Sequence, residues 1–224
     1  MILRDIAMVA ADTTRTEYYL NELIRNEVIP NYVLVLVNAK KELLPGQKEA
    51  VEENSLVSLL ISHGVKYGLA KSSDINSDEV VLELSLRPEN VFIYSGYGGV
   101  ILKKNILSIG KKFLHIHGGY IPNYKGSTTN YYSILEKNKM GASAIFLNKK
   151  IDSGPIINRK EFCPPKNKFE IDYFYDSYLR GIILVNILKQ YKIKKAIKPK
   201  TISQKNYKNY FIIHPVLKHI ALLK

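Results

Sequence analysis

The chain has 224 residues, a net charge of +13, 46% hydrophobic and 24% charged residues, and one cysteine, Cys163. That length fits one large α/β domain, or one domain with a small appendage. A lone cysteine excludes an internal disulfide and a cysteine-built zinc site.

No basic-then-apolar leader is read at the start, because Met1–Ala11 runs straight into Asp12-Thr13-Thr14-Arg15. The apolar run Ile182–Leu188 is broken by Asn186 and is too short to span a bilayer. A cytoplasmic location is therefore expected, with no membrane partner.

Ile6–Ala11 reads as a buried first strand. A helix follows, capped by Thr14 or Thr16, with Tyr19, Leu20, Leu23 and Ile24 on its apolar face. Pro30 and Asn31 are expected to break it before a second apolar strand, Tyr32–Val37. Continuous apolar strands in a βαβ opening favour a parallel sheet covered on both faces. The first turn lacks both GxGxxG and GxxxxGK[ST], so neither phosphate-binding fingerprint is present.

Lys40–Glu53, with Pro45-Gly46, reads as a mobile connection. Ser55–Ser62 is expected to be a helix closed by His63-Gly64, Tyr67–Lys71 a short strand, Asp78–Leu86 a helix and Val91–Ser95 a buried strand. Gly96-Tyr97-Gly98-Gly99 then lies at a strand's carboxyl end, where open α/β sheets bind ligands, and glycines there allow close backbone approach by a flat molecule. Val100–Leu107 reads as a helical or irregular link.

Phe113–His117 is the next strand, and its period of two puts His115 and His117 on one face. A loop with Gly118, Gly119, Pro122 and Gly126 follows, and then a helix over Thr128–Asn138. Ala142–Leu147 and Pro155–Phe162 read as strands joined in a hairpin with Asp152 at its tip. Ile171–Gln190 is expected to be a long helix. Lys198–Lys208 reads as a polar linker, and Tyr210–Leu223 as a short helix or strand interrupted by Pro215. Cys163, His63, His214 and His219 read as structural or surface residues.

From Lys189 to Lys224 there are ten lysines and no acidic residue, so this segment supplies +10 of the +13. Such a segment either attracts phosphate groups or is a solvated lysine surface. No recognised nucleic-acid motif accompanies it. Residues 1–190 are read as the catalytic domain and 191–224 as a basic extension packing on or near it.

Three ionisable groups stand out: His115, His117 and Asp152. On residue type and spacing alone, three readings stay open. The trio is a general acid–base set, with the carboxylate orienting an imidazole. It is a His-x-His-plus-Asp metal site, as in a metal-dependent hydrolase. Or it is structural.

The segment His115-Ile116-His117-Gly118-Gly119-Tyr120-Ile121-Pro122-Asn123-Tyr124-Lys125-Gly126, then Gly141, then Ile151-Asp152-Ser153-Gly154-Pro155-Ile156-Ile157, resembles the core of the 10-formyltetrahydrofolate-dependent formyltransferases. That family's pattern is roughly N-x-H-x-S-x-L-P-x-Y-R-G, then G-[VI]-T, then I-D-x-G-P-I. The resemblance implies a Rossmann-like α/β fold: a mostly parallel central sheet, helices on both faces and a β-hairpin carrying Asp152.

It also implies a reaction. An acceptor amine attacks the formyl carbon of 10-formyltetrahydrofolate, and the tetrahedral oxyanion collapses to a formamide and tetrahydrofolate. By position His117 is the family's proton-shuttling histidine and Asp152 its aspartate. His115 stands where the family has asparagine; an imidazole donates one hydrogen bond to an oxyanion, as an amide does, but also titrates near neutrality.

The resemblance further assigns folate binding to Gly96, Tyr97, Gly98, Val100, Ile101, Leu102, Leu147, Asn148 and Lys149. Substrate binding falls to Tyr120, Pro122, Tyr124, Lys125 and Gly126, with no metal. An amino sugar, nucleotide-linked or a nonulosonic (pseudaminic-type) precursor for bacterial surface glycans, is the favoured acceptor; tyrosines such as Tyr120 and Tyr124 would stack on sugar or base. Glycinamide ribonucleotide or another small amine is the alternative. A homo-oligomer is compatible with the sequence, and nucleic acid is not an expected partner.

Overall fold

A computed structural model describes residues 2–36, 56–204 and 206–224. The chain divides into two compact units, Met1–Phe113 and Leu114–Lys224.

The first unit is a parallel α/β arrangement. Its elements run β1 (Ile2–Ala11), α1 (Thr14–Arg25), β2 (Ile29–Leu36), α2 (Leu56–Ser62), β3 (Tyr67–Leu69), α3 (Asp78–Leu86), β4 (Val91–Ser95) and α4 (Lys104–Leu107). The strand order β3-β2-β1-β4 is parallel throughout. β1 is central and Ile6 to Ala11 are fully buried, which is why that stretch is an unbroken apolar run rather than an alternating one. Thr13 caps α1 by accepting the Thr16 amide hydrogen at 3.2 Å.

Pro30 does not end the helix. α1 stops at Arg25, and Pro30 lies inside β2, opposite Leu3, near the start of the strand, where a missing N–H is tolerated. The expected mobile connection Lys40–Glu53 lies outside the described residues, as do Val37 and Ser55 at the ends of two expected elements.

The second unit is antiparallel. β5 (Lys112–His117) begins at the unit boundary, and β6 (Lys125–Gly126), α5 (Thr129–Lys137), β7 (Met140–Phe146) and β8 (Ile156–Phe162) follow it. β7 pairs antiparallel with β5 on one side and β8 on the other. Asp152 lies in the β7–β8 connection, in the left-handed region at φ 44°.

A 3-10 turn (Lys168–Glu170) and a π-helical turn (Ile171–Tyr175) lead into α6 (Asp176–Lys194). The expected long helix thus starts with a wide turn and ends four residues later. The terminal segment is both things the pattern allowed: β9 (Asn209–Tyr210) pairs in parallel with β6, and α7 (Pro215–Leu223) packs against α5. Sheets that are parallel in one unit and antiparallel in the other, flanked by helices, give a mixed α/β fold of the Rossmann-like kind. Among the described residues, no helix is long and apolar enough to cross a membrane.

Among its described residues, the first unit contains one fully buried carboxylate. Glu89 is held by Arg87 Nε (3.0 Å), Arg87 Nη2 (2.8 Å) and Asn31 Nδ2 (2.7 Å). Burial alone pushes its pKa up, but these hydrogen bonds outweigh it and hold the carboxyl below the usual range. Arg87 also lies over the Tyr32 ring at 3.7 Å. Arg87→Ala strands that charge and is expected to lower stability by about 3 kcal/mol. Urea denaturation measures this, and a loss under about 1 kcal/mol would contradict the pairing account.

Candidate active site

Cross-strand pairing sets the two histidines. On β5, His115 lies opposite Ile145 and His117 opposite Ser143 of β7. His115 is half-buried and His117 buried.

After His117 the chain folds back in a loop that β7 and β8 pin. The buried Ser143 hydroxyl donates to the Gly119 carbonyl (2.7 Å) and accepts from the Ile121 amide (2.9 Å). Arg159 donates to the Ile121 carbonyl at 2.6 Å. The Ile121 side chain is buried with Ile145 and Ile156, and the Ile121–Pro122 peptide is cis.

The loop delivers the Tyr124 carbonyl to 2.8 Å from His117 Nε2. A carbonyl only accepts, so Nε2 carries a proton and, in the neutral ring, Nδ1 holds the lone pair. Thr129 Oγ1 lies 3.3 Å from the same Nε2 and itself donates to the Gly118 carbonyl. On the other side of the ring, Asp152 Oδ2 is 3.3 Å from Nδ1. That oxygen also accepts the Gly126 amide hydrogen at 2.9 Å.

His117 therefore lies between two acceptors, which suit the doubly protonated ring. Burial is the strongest influence on it and lowers its pKa below the usual histidine value. Asp152 opposes that shift, Arg180 reinforces it, and the Tyr124 carbonyl and Asp176 again oppose it. A neutral imidazole that already donates to one acceptor and gains a second on protonation can take a proton at Nδ1 and return it.

Gly119 shows how tightly the ring is enclosed. A Cβ there would meet Thr129 Oγ1 at 2.3 Å, and His117 Nε2 and the Tyr124 carbonyl each at 2.6 Å. The family pattern has serine at this position.

A polar network lies behind the ring. Arg180 pairs with Asp176 (2.6 Å) and donates to the Ile116 carbonyl (3.3 Å). Asn130 donates to Asp176 (3.0 Å) and accepts from the Gly141 amide (2.7 Å). His115, His117 and Asp152 each offer one ligand atom within 4.8 Å of the others, so their chemistry is also compatible with a metal ion.

The other expected site residues fall in both units. In the first, Arg15 donates to the Gly96 carbonyl, and the Tyr97 hydroxyl donates to the Leu36 carbonyl at 3.1 Å. Open space surrounds Gly98. Val100 and Ile101 are exposed and Leu102 is buried. Asn76 clamps this loop from both sides, donating to the Ile101 carbonyl (3.1 Å) and accepting from the Lys103 amide (2.7 Å).

In the second unit, Leu147 packs on the Ile121 cluster, Asn148 donates to the Ser153 carbonyl at 3.2 Å, and Lys149 is exposed. Tyr120 carries the Arg159 guanidinium over its ring at 4.5 Å, and Pro122 is buried.

Tyr124 and Lys125 are buried rather than offered to solvent. The Tyr124 ring packs on Tyr210, and Lys125 Nζ reaches Ser153 Oγ at 3.4 Å. What Tyr124 turns toward His117 is its carbonyl. Sequence reasoning did not single out Thr129, Ser143, Asn130, Asp176 or Arg180. Of these, Ser143 had a signal, since it follows Gly141 where the family pattern has threonine.

Residues 4–164 match the formyl transferase family, and the chain belongs to it. Among curated relatives, it is 26% identical over 132 residues to methionyl-tRNA formyltransferase of Ligilactobacillus salivarius, covering 58% of this chain and 41% of that protein. The chain thus spans about two fifths of that relative's length. Two solved structures share the fold. One is a sugar N-formyltransferase from Shewanella sp., with a TM-score of 0.61 and 16% identity over 97% of this chain and 86% of that one. The other is an N-formyltransferase from Helicobacter canadensis in complex with folinic acid and dTDP-3-aminofucose, with a TM-score of 0.59 and 15% identity over 93% and 71%.

Two outcomes are expected. The unfolded chain binds a proton at His117 more readily than the folded one, so this residue's contribution to stability is present above about pH 6.5 and lost as pH falls below it. His117→Asn should flatten the difference between denaturation midpoints at pH 7.5 and pH 5.5; an unchanged difference contradicts the buried, proton-resisting ring. Gly119→Ala should lower activity about 10²-fold by displacing His117, and wild-type turnover in that variant would contradict the close packing.

Proposed function

We propose that this chain transfers a formyl group from 10-formyltetrahydrofolate to the primary amine of an amino sugar. The observation that carries the chemistry is His117, held by the Tyr124 carbonyl on Nε2 and facing Asp152 Oδ2 with Nδ1.

The folate donor supplies an activated formyl carbon. The Gly96–Leu102 loop suits it: Gly98 and Gly99 are open, and exposed Val100 and Ile101 offer an apolar surface beside them. In this reading Nδ1 of His117 takes the proton released by the attacking amine. The imidazolium is then held by Asp152 and the Tyr124 carbonyl, and it returns the proton to the leaving nitrogen. His115, on the same face of β5, donates a hydrogen bond to the developing oxyanion in place of the family's asparagine.

The acceptor assignment draws on a different kind of support. Two proteins sharing the fold over more than nine-tenths of this chain are a sugar N-formyltransferase and an N-formyltransferase solved with dTDP-3-aminofucose. Glycinamide ribonucleotide or another small amine is the alternative acceptor.

His117→Ala and Asp152→Ala should each lower formyl transfer by about 10²–10⁴-fold, the usual weight of a positioned proton-transfer group. His115→Asn should keep measurable activity, because an amide still donates to the oxyanion. The assay incubates the protein with 10-formyltetrahydrofolate and a panel of free and nucleotide-linked amino sugars, and reads product mass. Full activity in His117→Ala would sink the proton-transfer assignment; no formylated sugar would remove the acceptor. Activity abolished by a chelator and restored by a divalent cation would turn the His115–His117–Asp152 trio toward metal chemistry.

A further inference from the structure

The carboxyl-terminal strand does more in the second unit than extend the chain. β9 runs in parallel beside β6, the two-residue strand whose Gly126 amide hydrogen bonds Asp152. The Ser127 amide donates to the Tyr210 carbonyl at 2.9 Å, and the Ile213 amide donates to Thr128 Oγ1 at 2.8 Å. Gly126 has φ 105°, and a Cβ there would meet the Tyr210 carbonyl oxygen at 2.0 Å. The terminal backbone thus runs directly against the residue that orients Asp152.

The side chains join at the same place. The Tyr124 hydroxyl donates to Glu136 Oε2 at 2.8 Å and the Tyr210 hydroxyl to Glu136 Oε1 at 3.1 Å, so one carboxylate on α5 holds both phenols. The Tyr210 ring lies 5.6 Å from that of Tyr124 and 4.6 Å from that of Tyr132, centroid to centroid. Tyr124 supplies the carbonyl that fixes His117 Nε2, and Gly126 supplies the amide that fixes Asp152. Both supports of the His117–Asp152 pair are therefore tied to Tyr210, one through its ring and hydroxyl and the other through its backbone.

We infer that Tyr210 is a positioning residue: the β9 strap and the Tyr124–Glu136–Tyr210 cluster hold the Tyr124–Ser127 segment so that His117 and Asp152 face each other. The segment around Tyr210 then belongs to the site rather than to a separate basic appendage. Whether the aligned pair serves formyl transfer rests on the function proposed above; the alignment itself does not.

The test uses the full chain and three variants: Tyr210→Phe, Tyr210→Ala and Glu136→Ala. Tyr210→Ala removes ring and hydroxyl. It should lower kcat about 10–10²-fold, as small misplacements of reacting groups do, with KM for the folate donor changed less than about threefold. Tyr210→Phe keeps the ring and should recover most of the lost kcat. Glu136 is exposed, so Glu136→Ala should fold even where Tyr210→Ala does not, and its kcat should fall several-fold.

The readout independent of turnover is the His117 ring titration, followed by NMR. The charged and titratable groups around the ring are His115, Asp152, Arg180 and Asp176, and none of the three variants alters any of them. A shifted His117 midpoint in Tyr210→Ala or Glu136→Ala supports the strap. A wild-type midpoint in both variants overturns it, whatever the activity. If the wild-type chain forms no formylated product while the variants still shift the midpoint, the proposed reaction falls and the positioning stands.

Discussion

The second unit is organised by one hydrogen-bonded arrangement, a buried imidazole between a main-chain carbonyl and a carboxylate. His117 is almost without solvent, and burial by itself disfavours its charge. The Tyr124 carbonyl and Asp152 favour that charge but do not outweigh burial, which holds the pKa below the usual histidine value. Neither partner is near His117 in sequence by accident of strand geometry. A loop must turn back through seven residues to present one, and a hairpin must extend past β7 to present the other.

Those two demands explain features that otherwise look unrelated. Ser143, Arg159 and the Ile121 side chain pin the loop to the antiparallel strands. Gly119 is bare because Thr129, His117 and the Tyr124 carbonyl occupy the space a side chain would need, and Gly126 is bare because the Tyr210 carbonyl does. Asp152 takes a left-handed backbone conformation at the hairpin and receives an amide hydrogen bond from Gly126. The same residues explain the tyrosines around the loop. Tyr210 packs on both Tyr124 and Tyr132, with Glu136 holding the Tyr124 and Tyr210 hydroxyls, so the ring of Tyr124 is buried in this cluster.

Elements with strong local signals were legible from residue order. Asp78–Leu86 and Val91–Ser95 have the expected limits, and β5 and the β7–β8 hairpin differ by one or two residues. A proline reads as a helix stop, whereas here Pro30 lies near the start of a strand, where a missing N–H is tolerated. β6 and β9 are two residues each and have no periodicity of their own. Their pairing joins positions more than eighty residues apart, which no local pattern encodes. Thr129, Asn130, Asp176 and Arg180 were invisible for a similar reason: each is an ordinary helix residue until α5 and α6 pack beside the loop.

By itself, then, the sequence determined the α/β class, the family and the three ionisable residues, because periodicity and motif spacing are local properties of the chain. It also marked His115 as the departure from the family's asparagine. The tertiary structure alone decided which atom of His117 keeps a proton and which faces Asp152, because that depends on a main-chain carbonyl brought back by a pinned loop. It alone showed the carboxyl-terminal strand lying against that loop, since a backbone hydrogen bond between distant segments leaves no trace in the identity of the residues that make it.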